Sequence, residues 1–209
     1  ASIVNASAGT FDLHDAVDVR LGSSPLGGEH FENLGLLMSD AETGVAELDV
    51  PLHNVGTVQV MMGEMSLNSG DGGSSPGSFI VDDMGMLTLA SADFHFVAGS
   101  SIGGPGMMQI EGSNVVVDGD YSVGGCVEVM SGSLTFNRGF SGGSSFAIDA
   151  AGSLTFNPGT YVLSSTSDLE SSGRLTIAGA DVDTSGIFIS TDRVHLDGGS
   201  LTLRGTTGG

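Results

Sequence analysis

A five-residue phrase recurs along most of this chain: glycine, any residue, apolar, threonine or a similar residue, apolar. It reads GEMSL from Gly63, GMLTL from Gly85, GSLTF from Gly132, GSLTF from Gly152, GRLTI from Gly173 and GSLTL from Gly199. A further copy around Gly112, EGSNVVV, fits with one inserted residue and places Val115, Val116 and Val117 in the same pattern. The anchoring glycines are 22, 27, 20, 20, 21 and 26 residues apart. Each anchor except Gly173 follows a second alternating run, namely VQV, FIV, MQI, VEV, FAI or VHL; before Gly173 only Leu169 stands in place. Alternation with a period of two over so few residues predicts short strands with one face in and one face out. A glycine between two such strands lets the backbone turn a corner through conformations closed to other residues. Each repeat therefore reads strand, corner, strand, loop, with the loop absorbing the variable spacing.

A unit of this size cannot bury an apolar face alone, whereas stacked units bury a continuous column. The pattern predicts an all-β, single-domain parallel β-solenoid, a right-handed β-helix of about 8 to 9 coils of 20 to 27 residues. At the usual strand spacing such a rod is roughly 40 Å long. No segment carries apolar residues at helical spacing over ten or more positions, which excludes helical solenoids. A β-sandwich also uses short strands and glycine-rich turns, but gives no reason for one phrase to return in phase. Register on the phrase predicts one inward ladder of Met65, Leu87, Val115, Leu134, Leu154, Leu175 and Leu201. It predicts a second of Leu67, Leu89, Val117, Phe136, Phe156, Ile177 and Leu203. Between them runs an outward row, Ser66, Thr88, Val116, Thr135, Thr155, Thr176 and Thr202, followed in three coils by Asn68, Asn137 and Asn157. Residues 1–57 read as irregular N-terminal coils or a cap, with a turn at Pro25, Gly27 and Gly28; residues 58–209 read as the regular repeats.

Composition agrees with many strands and tight turns, since 35 of 209 residues are glycine while 39% are hydrophobic. No run approaches the roughly 18 apolar residues of a membrane span. Charge narrows the partners. Twenty-five acidic residues face five arginines and no lysine, a net charge of −20, which repels nucleic acid and anionic lipid and keeps a surface soluble in salt. Cys126 has no second cysteine to pair with and reads as a small buried hydrophobe.

The acidic turns are the candidate ligand sites. Asp118 and Asp120 flank a glycine, Asp181 and Asp183 flank a valine, and Asp82 and Asp83 are adjacent. Calcium takes six to eight oxygens, so each pair supplies a fragment of a calcium site; no cofactor is required. The threonine row is similar to those of ice-binding β-helices but lacks their second parallel row, and threonine suits any solvated sheet face. The histidines, His14, His30, His53, His95 and His195, are scattered and no HExxH spacing occurs, so no catalytic residue is assigned.

The phrases GSLTF, GTYVLSS and GGSLTLRG resemble coils of bacterial surface and secreted right-handed β-helix proteins, the pectin-lyase-like and adhesin-type repeats. The resemblance spans roughly residues 55 to 209 and implies a structural role outside the cell or on its surface. The expected function is a rod segment of a surface fibre or adhesin that stacks end to end or continues into further coils. A carbohydrate-active enzyme or carbohydrate-binding module is the second expectation, and an ice-binding protein the third.

Overall fold

Among the described residues, twenty-three strands, all paired in parallel, wind into a solenoid with three faces. A computed structural model describes residues 2–14, 17–20, 28–42 and 44–205; the turn expected at Pro25 and Gly27 lies outside the described residues. A ragged first turn is followed by about eight full turns and a partial last one. No helix occurs among the described residues.

The first face opens with strands Ser2–Asn5, His30–Asn33 and Leu52–Asn54, paired in sequence. It resumes at Phe94–Phe96, which pairs with residues 115–117 and then with 134–136, 154–156, 175–177 and 194–196. The second face runs from Thr10–Leu13 through Leu36–Ser39 and residues 57–60, 78–81 and 101–104 to Asp120–Val123. It ends in Thr160–Leu163, Asp181–Thr184 and Ser200–Leu203. The third face stacks Val45–Leu48 on residues 64–67, 86–89, 107–110, 126–129, 145–148, 169–171 and 188–190. Five strands, Thr57–Leu67, Ser78–Ala90, Met107–Val117, Cys126–Phe136 and Ser145–Phe156, run across a corner and serve two faces each.

This register corrects the expected ladders. The inward phase holds, because Met65, Leu87, Val115, Leu134, Leu154 and Leu175 are all fully buried. They do not form one column. Met65 and Leu87 lie on the third face and continue into Met108, Val127 and Phe146. Val115, Leu134, Leu154 and Leu175 lie on the first face below Phe94. Leu201 stacks under Val182 on the second. The phrase marks a corner, and the chain uses it at all three corners. From the second turn on, regular turns are 19 to 23 residues long, as in Asp181 opposite Ser200 and Ser78 opposite Ser101. The gaps of 27 and 26 residues are thus one turn plus one face, not a turn with a long loop.

The second-to-third corner is held by a glycine column. Gly85, Gly106 and Gly125 stack so closely that a Cβ on Gly106 or Gly125 would collide with backbone of the turn before. At the third-to-first corner Gly132 takes a φ of 87°, a left-handed conformation that other residues adopt only at a cost.

In the early turns the first-to-second corner is held by an inward asparagine ladder. The Asn5 amide donates to Asn33 Oδ1 at 2.8 Å, Asn33 donates to Asn54 Oδ1 at 2.8 Å, and Asn54 donates to the Ser78 carbonyl at 3.1 Å. In the later turns the core is aromatic. Phe136 and Phe156 stack with centroids 5.8 Å apart, and the buried Tyr161 hydroxyl donates to the carbonyls of Phe136 and Asn157. In both arrangements the buried amide and phenol groups named find partners within the column while it stays filled.

Candidate functional site

The outward rows carry whatever chemistry the solenoid has, since its interior is filled by side chains. The expected threonine row is divided with the ladders. Val116, Thr135, Thr155 and Thr176 stack on the first face, with His95 above and His195 below. Ser66 and Thr88 belong to the third face, are buried, and hydrogen-bond to Asn68 and Glu64. Thr202 lies on the second face opposite Asp183. The asparagines divide likewise. Asn157 donates to Asn137, which donates to Asp118 at 2.7 Å, whereas Asn68 donates to Asp49 at 2.7 Å.

Of the six acidic residues singled out in the turns, Asp82 accepts the Gln59 amide at 2.7 Å, and Asp118, Asp120, Asp181 and Asp183 each meet a protein partner. Asp118 receives the Asn137 amide and contacts His95 Nε2 at 2.6 Å, and these hydrogen bonds hold its carboxyl below the usual range. Asp120 pairs with Arg138 Nη1 at 2.6 Å. Asp181 accepts from Ser200 at 2.8 Å. Asp183 accepts two bonds from Arg204 Nε, 2.7 and 2.9 Å long, which push its pKa down. Asp118 follows the end of a first-face strand at Val117 and Asp120 starts a second-face strand, whereas Asp181 and Asp183 both lie in another second-face strand, with Thr160–Leu163 directly above it. The two pairs occupy different turns.

Among the described residues, three acidic groups do converge elsewhere. Asp18, Glu47 and Asp49 bring a carboxylate oxygen each to within 4.8 Å of one another. Arg20 fills the middle, its Nε 2.5 Å from Asp18 and 2.9 Å from Asp49, with Nη2 3.9 Å from Glu47. A guanidinium here does what a cation would do, neutralising carboxylates that stacking forces together. The DxD spacing could not reveal this cluster, because its members come from two consecutive turns.

Asp71 is a second residue that sequence reading passed over. In the fourth turn the first face has no strand, and residues 70–75 take its place. The buried Asp71 carboxylate accepts the backbone N–H of His95 at 2.7 Å and of Gly73 at 2.8 Å, standing in for the missing strand's carbonyl. Burial pushes its pKa up. Three stretches, GSSPG from Gly73, GSSIG from Gly99 and GFSGG from Gly139, spell the serine-hydrolase phrase GxSxG. That phrase works at a strand-to-helix turn beside a histidine ring. Ser75 is buried, Ser101 hydrogen-bonds to Ser78, and Ser141 lies on a strand paired with Val162, so none has that setting.

Cys126 departs from expectation. In the run CVEV it is Val127 and Val129 that point inward, while Cys126 is half-buried on the outward side. Burial, with Glu128 and Glu170 nearby, pushes its thiol pKa up.

The fold and these sites define the class, a parallel β-solenoid with ion-paired, hydrogen-bonded outer rows. No known protein family, curated protein or solved structure matches the chain.

Proposed function

We propose that this chain is a structural rod segment of an extracellular fibre or surface adhesin, extended either by a second copy stacked end to end or by further coils. The reading rests on the last described turn. Inward positions one turn earlier are sealed, with Ile177 and Thr184 at 0% exposure, whereas their stacking partners Leu196 and Leu203 are 49% and 39% exposed. An open apolar column above a row of unpaired strand groups is a template for another strand. Such a contact joins unlike surfaces and does not close, so it propagates along the axis. The net charge of −20 makes the sides of neighbouring rods repel, which directs growth to the ends. The same acid-rich, lysine-free surface supports a saline setting outside the cell.

Light scattering against concentration, with electron microscopy, tests this on the chain and on the double variant Leu196→Lys, Leu203→Lys. The expected result is concentration-dependent filaments from the first and isolated rods from the second. A chain that stays monomeric at high concentration, with no repeats following it in a longer parent, overturns the proposal.

A further inference from the structure

Five of the nine methionines, Met61, Met62, Met84, Met86 and Met107, gather at the second-to-third corner in three consecutive turns. Their side chains are half-buried or exposed, Met84 at 68%. Elsewhere the outward rows carry mostly polar residues with single apolar ones such as Ile80 and Val162, and among the described residues none gathers as many apolar side chains as this corner.

The register adds sulfur to sulfur. On the outward side of the third face Glu64 lies opposite Met86, and Met86 opposite Met107. Met108 lies opposite Val127, which sets Met107 over Cys126. Two thioethers and a thiol therefore occupy three successive rungs of one row. Backbone rungs are about 4.8 Å apart, about twice the roughly 2.3 Å of a metal–thiolate bond, so side chains on two neighbouring rungs can flank one ion while the third rung lies beyond its reach. An open depression beside the row is lined by Glu64, Asp83, Met84, Met86 and Met107.

We propose that Met107 and Cys126 flank a binding site for a soft monovalent cation, Cu(I), with Met86 on the next rung and Met84 beside it. Thioether and thiolate sulfurs select soft ions, whereas calcium and magnesium prefer oxygen. Glu64, Asp83 and Glu128 surround the row with negative charge and favour any cation electrostatically. Cys126 is a neutral thiol at neutral pH, so the metal–sulfur bond forms as the S–H proton leaves to solvent, and no electron is transferred. The assignment is independent of the rod function, because it concerns a side of the solenoid and not its end.

The test is titration of the full chain with Cu(I) under ascorbate, against a chromophoric chelator. One ion per chain is expected, unaffected by excess calcium. Cys126→Ser, and separately the double variant Met86→Leu, Met107→Leu, weaken binding at least tenfold, while Met38→Leu on the second face leaves it unchanged. A second readout needs no variant: Ag(I) or Cu(I) slows alkylation of Cys126 in the native chain at least tenfold. Absence of binding, binding that survives the sulfur substitutions, or bound metal that leaves Cys126 alkylation unchanged each overturns the proposal.

Discussion

The division of the ladders among faces predicts which buried residues are energetically coupled. Leu87 and Met108 are both fully buried and opposite one another on the third face. Aligning the repeats by their phrase instead places Leu87 above Val115, which the structure sets 28 residues on, more than a turn away and on the first face, between Phe94 and Leu134. Leu87→Ala, Met108→Ala and Val115→Ala each leave a cavity in a filled column. The leucine and methionine truncations should cost about 2–5 kcal/mol each, and the valine somewhat less. Cavities that touch merge, and the second truncation then costs less than the first, whereas sites more than about 7–10 Å apart add within about 0.5 kcal/mol. The double-mutant cycle for Leu87 and Met108 should therefore show a coupling of about 1 kcal/mol or more, and that for Leu87 and Val115 close to none. Urea unfolding of the six proteins measures it, with unchanged m-values showing that the denatured state is comparable. A larger coupling for Leu87 with Val115 than with Met108 would refute the register.

Leu134→Ala should cost about 2–5 kcal/mol and its neighbour Thr135→Ala well under half of that, because the first is sealed and the second faces outward; equal losses in chemical denaturation would contradict the inside–outside assignment. Asn33→Ala leaves Asn54 Oδ1 without its donor and takes one of two acceptors from the Asn5 amide, which keeps the Leu36 carbonyl, at about 1–3 kcal/mol for a buried group left unsatisfied, so a melting temperature unchanged from the native chain would exclude the inward ladder. Asp118 is held below its ordinary 3.8 by His95 and Asn137, so its stabilisation is present above that value and lost as pH falls through the lower folded one. Asp118→Asn should flatten the loss of stability in this acid window, and identical acid denaturation curves for the two proteins would contradict the pairing. Stacked carboxylates should make calcium raise the melting temperature beyond sodium at matched ionic strength; an equal rise in both would show that simple screening suffices.

Sequence alone determined the fold class, the strand phase and most of the residues that face the core, with Cys126, Ser66 and Thr88 as the exceptions. Those properties are local: a period of two states which side chains share a face, and a glycine between two such runs states that the chain turns. Leu134, Leu154 and Leu175 were legible as buried for this reason. What the tertiary structure decided is which corner each phrase occupies. All three corners obey the same local code, and faces of similar length let the phrase slip by one face without breaking any local rule. Only pairing between turns, where Met108 and not Val115 fills the space beside Leu87, fixes the column. The sites follow the same division. Asp118, Asp120, Asp181 and Asp183 were visible as turn residues, but their partners His95, Arg138, Ser200 and Arg204 come mostly from neighbouring turns. Arg20 among three carboxylates, Asp71 in place of a strand, and the sulfur row of Met86, Met107 and Cys126 arise from stacking residues about twenty positions apart, a distance over which sequence carries no contact information until the register is known.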